Sequence, residues 1–526
     1  MKNRPQDHVV TFILAETNNV RNNFRRILLR IMFTIVFFFC LSYLFYTLFF
    51  LNPPFKSTQK ALDTLIRFNQ ANQSNTIQKK PTIKPPVEKT QLNHIVFGIG
   101  SSCATWKHRK EYVKLWWKPN KMRGFVWLDK PMIMSQNQSM SPSNYNNVTS
   151  SLPQIKISSD TSRFKYTNKK GDRSGIRISR ALSETVRADS ENVRWYVMGD
   201  DDTFFVPKNL VRVLRKYDHN QYYYIGSVSE THWQNHEFSY NMAYGGGGFA
   251  ISYPLAKAIQ KMQDKCLQKY THLYGSDDRI QACMAELGVP LTKEVGFHQF
   301  DLQGSAMGLL SAHPVAPLIS LHHLDKIQPI FPNVSRVKAL RRLNKPIELD
   351  SAGLMQQSIC YDRPKGWTIS VSWGYSVQIN RGILAARDIE KPIQTFNDWY
   401  GTGDENSYTF NTRPYRKNAC QRPFFYLLSN VHVTTNHTTT SVYVYDGAPG
   451  RKCKWHMADP SGVRRVEVYK KPDPNLWDKV ITSVLLSLML LTLQKCRCAS
   501  VGSSKNALLL KDPTHYDSIF EEFEQH

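Results

Sequence analysis

The sequence predicts an α/β fold built on a mostly parallel sheet. Between residues 93 and 330, short apolar runs of strand length alternate with segments of helical spacing. The chain is 41% hydrophobic and 12% aromatic, which suits a sizeable buried core. Acidic residues come directly after two of the apolar runs, Asp129 after one and Asp200 to Asp202 after another. Because ligands of parallel sheets gather at the carboxyl ends of the strands, we expect a functional site there.

The predicted elements follow in chain order. Pro207 and Pro254 each mark a helix start, since proline fits the first turn, and Ser276 is a predicted N-cap. Gly288 ends the last of these helices. Residues 131–160 are rich in Ser and Asn and are interpreted as a surface loop or insertion. The predicted strands are 93–102, 123–129, 154–157, 194–199, 222–226, 249–251 and 317–325, and the predicted helices begin at or near residues 106, 174, 207, 254 and 276.

The three consecutive acids are the most informative feature. They end an apolar run and are followed by Phe204 and Phe205, with no Lys or Arg between Arg194 and Lys208. Carboxylates crowded at the end of a buried strand repel one another and lose hydration, so they stay ionised only beside a cation. Mn²⁺ or Mg²⁺ accepts such oxygen ligands together with substrate phosphates. A solvated acidic turn is the alternative.

Four adjacent glycines, residues 245–248, precede the apolar run 249–251. Glycines let the backbone approach a ligand closely and expose N–H groups. The run matches neither of the common phosphate-binding glycine motifs. We interpret it as a substrate-facing loop, with a flexible linker as the alternative.

Two further pairs of polar residues end or begin predicted elements. Asp277 and Asp278 favour the positive end of a helix dipole, which is a structural explanation, but a carboxylate facing a cleft there is also a candidate general base. His322 and His323 end the predicted strand 317–325. Because a hard ion held by Asp residues often takes one imidazole, one of this pair is a candidate ligand.

The N-terminus predicts a membrane anchor. Residues 31–51 carry no charge, which is enough to span a hydrocarbon core of about 30 Å. Arginines precede the run and no small-residue cleavage pattern follows it, so we expect a retained signal anchor with the rest of the chain on the lumenal side. A buried core helix is the alternative. The arginines are Arg21, Arg25, Arg26 and Arg30.

A lumenal position agrees with two other patterns. N-glycan acceptor tripeptides begin at Asn72, Asn137, Asn147, Asn333 and Asn436. Six cysteines outside the span and the tail can form disulfides in fifteen pairings, and no Cys-x-x-Cys pair among them indicates zinc: Cys103, Cys266, Cys283, Cys360, Cys420 and Cys453. The net charge of +26 therefore points away from nucleic acid and towards anionic membrane surfaces or phosphorylated small molecules.

Taken in order, the acidic strand, the glycines, the acid pair and the histidine strand resemble the Fringe-type β-1,3-glycosyltransferases. The resemblance is closer still to the plant Fringe-related family, whose function is largely unassigned. The motifs are residues 195–205, 244–252 and 321–325. The Fringe-like resemblance covers residues 93–330, and the plant-type resemblance continues to about residue 478.

The resemblance implies a nucleotide-binding glycosyltransferase fold of the A type. It also implies a metal site for Mn²⁺ or another divalent cation. Asp202 is the implied direct ligand, Asp200 lies near the ribose and the ion, and His322 supplies the second protein ligand, with His323 as the alternative. The implied catalytic base is Asp278, with Asp277 as the fallback.

Around the nucleotide of a UDP-sugar donor, the predicted contacts are Asp200, Asp201, Arg109, Asp129, Gly246 and Gly247. The resemblance further implies an inverting hexosyltransferase in the Golgi membrane, single-pass and type II, acting on a glycan or glycoprotein acceptor and forming a β-1,3 linkage. Galactose, glucose, GlcNAc and glucuronic acid all stay open as donor sugars, and so do the acceptor and the oligomeric state. The rival hypotheses are a catalytically inactive glycan-binding protein and a metal-dependent lumenal phosphate hydrolase.

The predicted organisation has six parts. After a cytosolic tail (1–30), the anchor (31–51) and a stem (52–91), we expect a Fringe-like catalytic domain (92–354), a β-rich accessory region (355–478) and an atypical tail (479–526). Short strands in the accessory region are predicted at 367–373, 441–445 and 463–469, and its exposed aromatics suit either core packing or sugar stacking. The uncharged run 480–493 is short for a span. It is interpreted as a tail helix, a second membrane contact or the product of an altered reading of the gene.

Overall fold

A computed structural model of the chain describes residues 30–43, 88–132, 151–434, 438–447, 453–481 and 507–511. The chain divides into two compact units, residues 1–88 and 89–526. In the first unit, residues 30–43 are helical. Among the described helices, none combines the length and the apolar character needed to cross a membrane.

Several predicted features lie outside the described residues. They are residues 44–51 of the predicted anchor, the stem up to residue 87, most of the predicted loop 131–160, the greater part of the tail, and the glycan acceptors Asn72, Asn137, Asn147 and Asn436. Asn333 is described, and it is exposed in a turn.

The second unit is built from strands and helices that alternate up to residue 293 and become mainly strands after residue 355. The helices are α1 (Cys103–Trp116), α2 (Ser174–Ala188), α3 (Pro207–Leu214), α4 (His232–Glu237), α5 (Tyr253–Lys269), α6 (Asp277–Glu286), α7 (Met307–Leu310), α8 (Arg336–Arg341), α9 (Asn344–Asp350), α10 (Ala386–Ile389) and α11 (Leu476–Ile481).

The strands of the first half are β1 (Ile95–Gly100), β2 (Arg123–Leu128), β3 (Gln154–Ile157), β4 (Trp195–Asp200), β5 (Phe204–Phe205), β6 (Tyr224–Gly226), β7 (Phe249–Ser252), β8 (Leu291–Lys293), β9 (Phe297–His298), β10 (Leu302–Gly304) and β11 (Ser320–Leu321). Those of the second half are β12 (Gln357–Asp362), β13 (Trp367–Ser372), β14 (Ser376–Arg381), β15 (Phe396–Asp398), β16 (Phe424–Val433), β17 (Thr439–Tyr445), β18 (Arg465–Lys470) and β19 (Ala507–Lys511).

Within the described residues, the central sheet has seven strands in the order β3-β2-β1-β4-β7-β6-β8. Strands β3, β2, β1 and β4 are parallel neighbours, and β6 is parallel to β8. Strand β7 runs antiparallel to both of its neighbours, β4 and β6. A mixed α/β fold with a mostly parallel sheet is thus confirmed, and it fits the A-type nucleotide-binding fold.

The direction of β7 matters for the site. Phe249, the first residue of β7, pairs with Met198 near the end of β4 and with Gly226 at the end of β6. Since β7 is antiparallel, the glycines that precede it lie at the edge where β1 and β4 end. The sheet therefore places the acidic triplet and the glycine run side by side.

The C-terminal region contains a second sheet. Its described strands follow the order β12-β13-β14-β16-β17-β18-β19, antiparallel except for the last pair. Strands β13, β17 and β18 confirm the predicted strands of the β-rich region. A short pairing of β10 with β15 ties this region to the loops of the central sheet.

One hydrophobic cluster runs from the central sheet into the C-terminal sheet. It joins Phe97 and Phe205 on one side to Trp373 and Tyr426 on the other, all of them buried. The predicted boundary after residue 354 lies inside the compact unit 89–526 and stays a prediction.

The predicted strand 317–325 is shorter than expected. Only Ser320–Leu321 form strand β11, which pairs with β5 and β9. His323 has φ 49°, a left-handed backbone conformation that no strand accommodates. The chain therefore turns at the histidines, whose two rings lie side by side with centroids 4.1 Å apart.

Candidate functional site

Three predicted metal ligands meet at the edge of the central sheet. Asp200 ends β4, Asp202 lies in the turn after it, and His322 follows β11. One ligand atom from each residue lies within 4.8 Å of the others. His322 Nε2 is 3.2 Å from Asp202 Oδ1 and 3.7 Å from Asp200 Oδ2. We call these three residues the triad.

Asp202 is suited to hold a metal ion. Its side chain is 1% exposed, and neither carboxylate oxygen has a hydrogen-bond partner of good geometry among the described residues. Buried carboxylate oxygens with open lone pairs cost free energy unless a donor or a cation fills them. Two carboxylates and an imidazole at this spacing fit a hard divalent ion such as Mn²⁺. The identity of the metal stays a prediction.

The electrostatics of the triad differ between its two acids. Burial alone would raise the pKa of Asp202, but the charges of His322 and Arg109 outweigh it and lower that pKa. Loss of solvation raises the pKa of Asp200 well above its usual range, although 37% of the side chain stays exposed, and the charges of Asp202 and Asp277 act in the same direction. A bound dication would offset this crowding of negative charge.

Asp201, the middle acid, faces helix α1 instead. Its Oδ2 accepts hydrogen bonds from Ser101 Oγ and Thr105 Oγ1, each at 2.6 Å. Its Oδ1 accepts from Arg109 Nη1 at 3.0 Å. These bonds fix the turn that carries Asp200 and Asp202, so the structure gives Asp201 a positioning role. Its predicted contact with the nucleotide stays a prediction.

Arg109 supplies the cation that the sequence around the acids lacks. Its Nη1 also lies 3.2 Å from Asp202 Oδ1, and its Nε donates to Asp325 Oδ2 at 2.7 Å. Tyr112, one helical turn further along α1, donates to Asp325 Oδ1 at 2.6 Å. Burial alone would lower the pKa of Arg109, but the charges of Asp202 and Asp201 raise it, so Arg109 keeps its charge. The link to Asp325 spans more than two hundred residues, and no local pattern indicates it.

The glycine run is packed around His322. The N–H of Gly248, which has φ 87°, donates to Gly245 O at 3.0 Å and closes a tight turn. A Cβ added at Gly246 would overlap the His322 ring. The N–H of Gly247 donates to Gln299 Oε1 at 2.7 Å. These glycines are buried and hold the imidazole in a slot, and contact of Gly246 and Gly247 with a cofactor stays a prediction.

The two histidines serve different sides of the site. His322 Nε2 faces the acids of the triad, and its Nδ1 lies 3.2 Å from Gln299 O. His323 Nδ1 lies 3.1 Å from Asp301 Oδ1, and its ring stacks on Trp399 with centroids 4.8 Å apart. The structure therefore brings Nε2 of His322 to the acids, and His323 lies beside the His322 ring and stacks on Trp399.

The candidate bases occupy the start of helix α6. Asp278 accepts hydrogen bonds from the backbone N–H groups of Tyr274 at 2.6 Å and Gly275 at 3.0 Å. Asp277 accepts from Ser276 Oγ at 2.9 Å and lies against Gly245, where an added Cβ would come within 2.5 Å of its Oδ1. Burial raises the pKa of both acids.

These two acids differ in their relation to the triad. The charge of Asp277 acts on Asp200, and the charge of His322 acts on Asp277. Asp278 turns towards its own loop and also lines the cleft beside the triad. Both acids line that cleft, and the role of Asp278 as the base stays a prediction.

Asp129 lies at the end of β2, two strands away from Asp200 at the end of β4. It follows β2 as predicted, and its Oδ1 accepts from the backbone N–H of Cys103 at 2.6 Å, at the start of α1. Burial would raise its pKa, but that hydrogen bond and the charge of Arg177 lower it. Arg177 was not predicted. It donates to Ser101 O at 2.8 Å and to Trp127 O at 3.2 Å, so it sits where β1 and β2 end.

Comparison with known families agrees with this architecture. Residues 90–316 match the family described as Fringe-like, and residues 234–484 match the family described as protein of unknown function, DUF604, which is Fringe-related. Together the two matches run without a gap from the central sheet through the C-terminal sheet. The two matches support membership of the Fringe-like family, as the motifs indicated, and this family is consistent with a glycosyltransferase. No curated protein matches the chain.

Proposed function

We propose that this protein is an inverting glycosyltransferase that moves a hexose from a UDP-sugar to a glycan or glycoprotein acceptor, forming a β-1,3 linkage. The observation that carries the proposal is the convergence of Asp200, Asp202 and His322 at the edge where the parallel strands end. Nucleotide ligands of such sheets bind at that edge. Membership of the Fringe-like family supports the same reaction class.

Asp202, His322 and Asp200 would hold the divalent ion. When bound, the ion supplies Lewis-acid stabilisation of the negative charge that grows on the departing diphosphate. The chain itself prepares this position in two ways. The bonds of Asp201 to helix α1 fix the acidic turn, and the slot at Gly246 fixes the imidazole, so the ligands need little rearrangement.

A carboxylate at the start of α6 acts as the general base. Asp278 is the proposed base and Asp277 the alternative. The base takes the proton from the acceptor hydroxyl as the hydroxyl oxygen attacks the anomeric carbon. Burial raises the pKa of both acids, which makes either one a better proton acceptor than a solvated carboxylate. One displacement from the face opposite UDP inverts the anomeric configuration.

We further propose that the enzyme is a single-pass type II protein of the Golgi membrane, anchored by residues 31–51, with the catalytic unit in the lumen. The disulfides Cys266–Cys283 and Cys420–Cys453 support an oxidising compartment. The exposed position of Asn333 suits a glycan acceptor.

A donor screen tests the proposed reaction. The full-length chain in detergent is incubated with the UDP derivatives of galactose, glucose, GlcNAc and glucuronic acid, with a mixture of glycan acceptors, and in Mn²⁺ or in chelator. We expect UDP release that requires both the metal and an acceptor. Asp202→Ala should abolish it, whereas Asp388→Ala, which removes a carboxylate 57% exposed and distant in sequence from the triad, should not.

The same screen separates the rival functions. UDP release that is independent of the acceptor would indicate a hydrolase. Glycan binding without UDP release from any donor would indicate an inactive binding protein and would contradict the proposed transfer.

A further inference from the structure

A cleft of about 650 Å³ opens beside the triad, on the side away from Asp129. Small-molecule sites in proteins commonly have volumes of about 300 to 1,000 Å³. Both candidate bases lie in its wall, together with His323 and Asp301. A molecule in the cleft would therefore lie within reach of the groups that are placed to take a proton.

The position in the sheet separates this cleft from Asp129, one of the predicted nucleotide contacts. In the order β2-β1-β4-β7-β6, Asp129 follows β2 and Asp200 ends β4. The cleft is lined instead by Met242 and Tyr244, which precede β7. Two substrates could thus approach the triad from opposite sides, a nucleotide over β1 and β2 and a second molecule over β7 and β6.

The cleft walls combine aromatic rings with hydrogen-bonding groups. Tyr400 is 62% exposed and Tyr274 is 45% exposed, so both offer ring surface to a ligand. Trp399 is half-buried beside them. Amide side chains complete the lining, and they are Asn168, Gln234 and Gln299. Flat apolar surfaces next to amide donors and acceptors suit a ring that carries hydroxyl groups on an otherwise apolar frame.

Trp399 and Tyr400 lie in a loop whose backbone is held by hydrogen bonds. The loop leaves β15, which pairs with β10, and Trp399 O accepts from Gln303 Nε2 at 2.7 Å. The carboxylate of Asp398 accepts from the N–H of Thr402 at 2.9 Å and closes the turn. The C-terminal region thus presents both aromatic side chains in a defined position, since the main chain that carries them is hydrogen-bonded at both ends.

Trp399 is also connected to the triad through His323. Its ring stacks on His323 with an interplanar angle of 24°, and the rings of His323 and His322 have centroids 4.1 Å apart. His323 adopts its left-handed backbone, φ 49°, in order to face Asp301 and Trp399. Strained residues that the surroundings hold in place cluster at ligand sites. The row of three rings runs from the metal ligand to the aromatic wall.

The charge of the walls narrows the class of ligand. Four carboxylates line the cleft against one lysine, a formal balance of −3: Glu237, Asp277, Asp278, Asp301 and Lys170. Such a wall repels phosphate, sulfate and uronic acid groups. It accepts an uncharged ring whose hydroxyl groups donate to the carboxylates.

We propose that this cleft binds the acceptor of the reaction as an uncharged pyranose ring placed against Trp399 and Tyr400. Calling the bound sugar the acceptor rests on the proposed function, but the binding of a neutral sugar can be tested without that function. The C-terminal region then completes the acceptor site, and the central sheet alone does not.

Binding is measured on the full-length chain in detergent by saturation-transfer NMR. The probes are methyl β-D-galactopyranoside, methyl β-D-glucopyranoside and the methyl glycoside of β-D-glucuronic acid. Binding of UDP with Mn²⁺ is measured separately by calorimetry. The variants are Trp399→Ala, Trp399→Phe and Tyr400→Ala, and the matched control is Trp233→Ala, an exposed tryptophan that does not line the cleft.

We expect at least one neutral glycoside to bind and the glucuronide to bind about tenfold more weakly or not at all. Trp399→Ala and Tyr400→Ala should each weaken the neutral glycoside about tenfold. Trp399→Phe should restore most of that loss, and Trp233→Ala should change nothing. Affinity for UDP with Mn²⁺ should be the same in all variants. Tyr400→Ala guards against misfolding, because it removes a largely exposed ring.

Three results of the binding measurements would overturn the inference. They are the absence of binding by any neutral glycoside, equal binding of the glucuronide, and unchanged glycoside binding in both alanine variants. If wild-type protein binds neutral glycosides through these residues but neither binds UDP with Mn²⁺ nor releases UDP, the proposed transferase fails while the sugar site stands. If Trp399→Ala and Tyr400→Ala both transfer sugar with the wild-type acceptor KM, the proposed sugar site is contradicted and the proposed transferase activity is supported.

Discussion

Substituting Gly246 by alanine should weaken the metal site without unfolding the protein. The Cβ built at this position meets three atoms of the His322 ring closer than 3.0 Å, and ordinary contact begins at 3.4 Å. The ring or the loop must therefore move by at least about 0.4 Å (3.4 minus 3.0). The backbone at Gly246 is not left-handed, so the effect is steric and not conformational.

The size of that displacement decides the expected result. Metal sites tolerate changes of only about 0.2 Å in ligand distance. His322 is 4% exposed and is confined by Gln299 O and by the ring of His323, so it cannot move freely. Disturbing the support of a metal ligand commonly costs about 10- to 100-fold in affinity. At ~1.4 kcal/mol per tenfold, the loss is about 1.4 to 2.8 kcal/mol of metal binding.

The assay is the Mn²⁺ concentration that gives half-maximal UDP release, with calorimetric Mn²⁺ binding in the presence of UDP as a second readout. Gly462→Ala is the matched control, because a Cβ there meets nothing within 4 Å. We expect a shift of about 10- to 100-fold for Gly246→Ala and none for Gly462→Ala. A folded Gly246→Ala protein with wild-type Mn²⁺ dependence would refute the argument that His322 holds the ion from this slot.

Three other perturbations test separate parts of the structure. Asp278→Asn should lower the rate of transfer about a hundredfold or more, whereas Asp277→Asn should leave it unchanged. The reverse pattern would assign the base to Asp277. Full activity in both variants would contradict a base on α6. Burial lowers the pKa of His313 well below 6.5, and the charge of its neighbour His298 acts in the same direction. The unfolded chain therefore takes up a proton on this histidine at a higher pH than the folded chain does. Unfolding free energy should then fall below pH 6.5 by up to about 1.4 kcal/mol per pH unit, and urea titrations at pH 7.5 and 5.5 should show a flatter dependence in His313→Gln. Replacing the disulfide Cys266–Cys283, which closes a loop with a separation of 17 residues, by two serines should cost about 3 kcal/mol in urea unfolding, and a cost near zero would contradict a constraint on the unfolded chain.

Local patterns in the sequence carry much of this architecture. An apolar run that stops at charged residues predicts β4 and the acidic turn at its end, because apolar side chains and ionised carboxylates need different surroundings. Strand and helix alternation predicts the parallel half of the central sheet. The Fringe-like resemblance adds the grouping of Asp200, Asp202 and His322, which the structure brings together.

The remaining features depend on contacts between distant residues. The bond of Arg109 to Asp325 joins residues 216 positions apart, and no local periodicity encodes such a pairing. The glycine run predicted a substrate-facing loop, and the structure adds that Gly246 leaves room for the His322 ring, which lies 76 positions later (322 minus 246). Trp399 lay among aromatics that suit either a core or a sugar, and only the pairing of β10 with β15 shows that its loop reaches the cleft.

The hydrophobic cluster shared by both sheets changes how distant substitutions are to be understood. A truncated side chain in the buried face of β16 or β17 removes packing from the same core that supports β4. A loss of 1–2 kcal/mol in folding free energy can lower the steady-state amount of a protein several-fold in a cell. Truncation of these core side chains is therefore expected to reduce how many folded molecules are present.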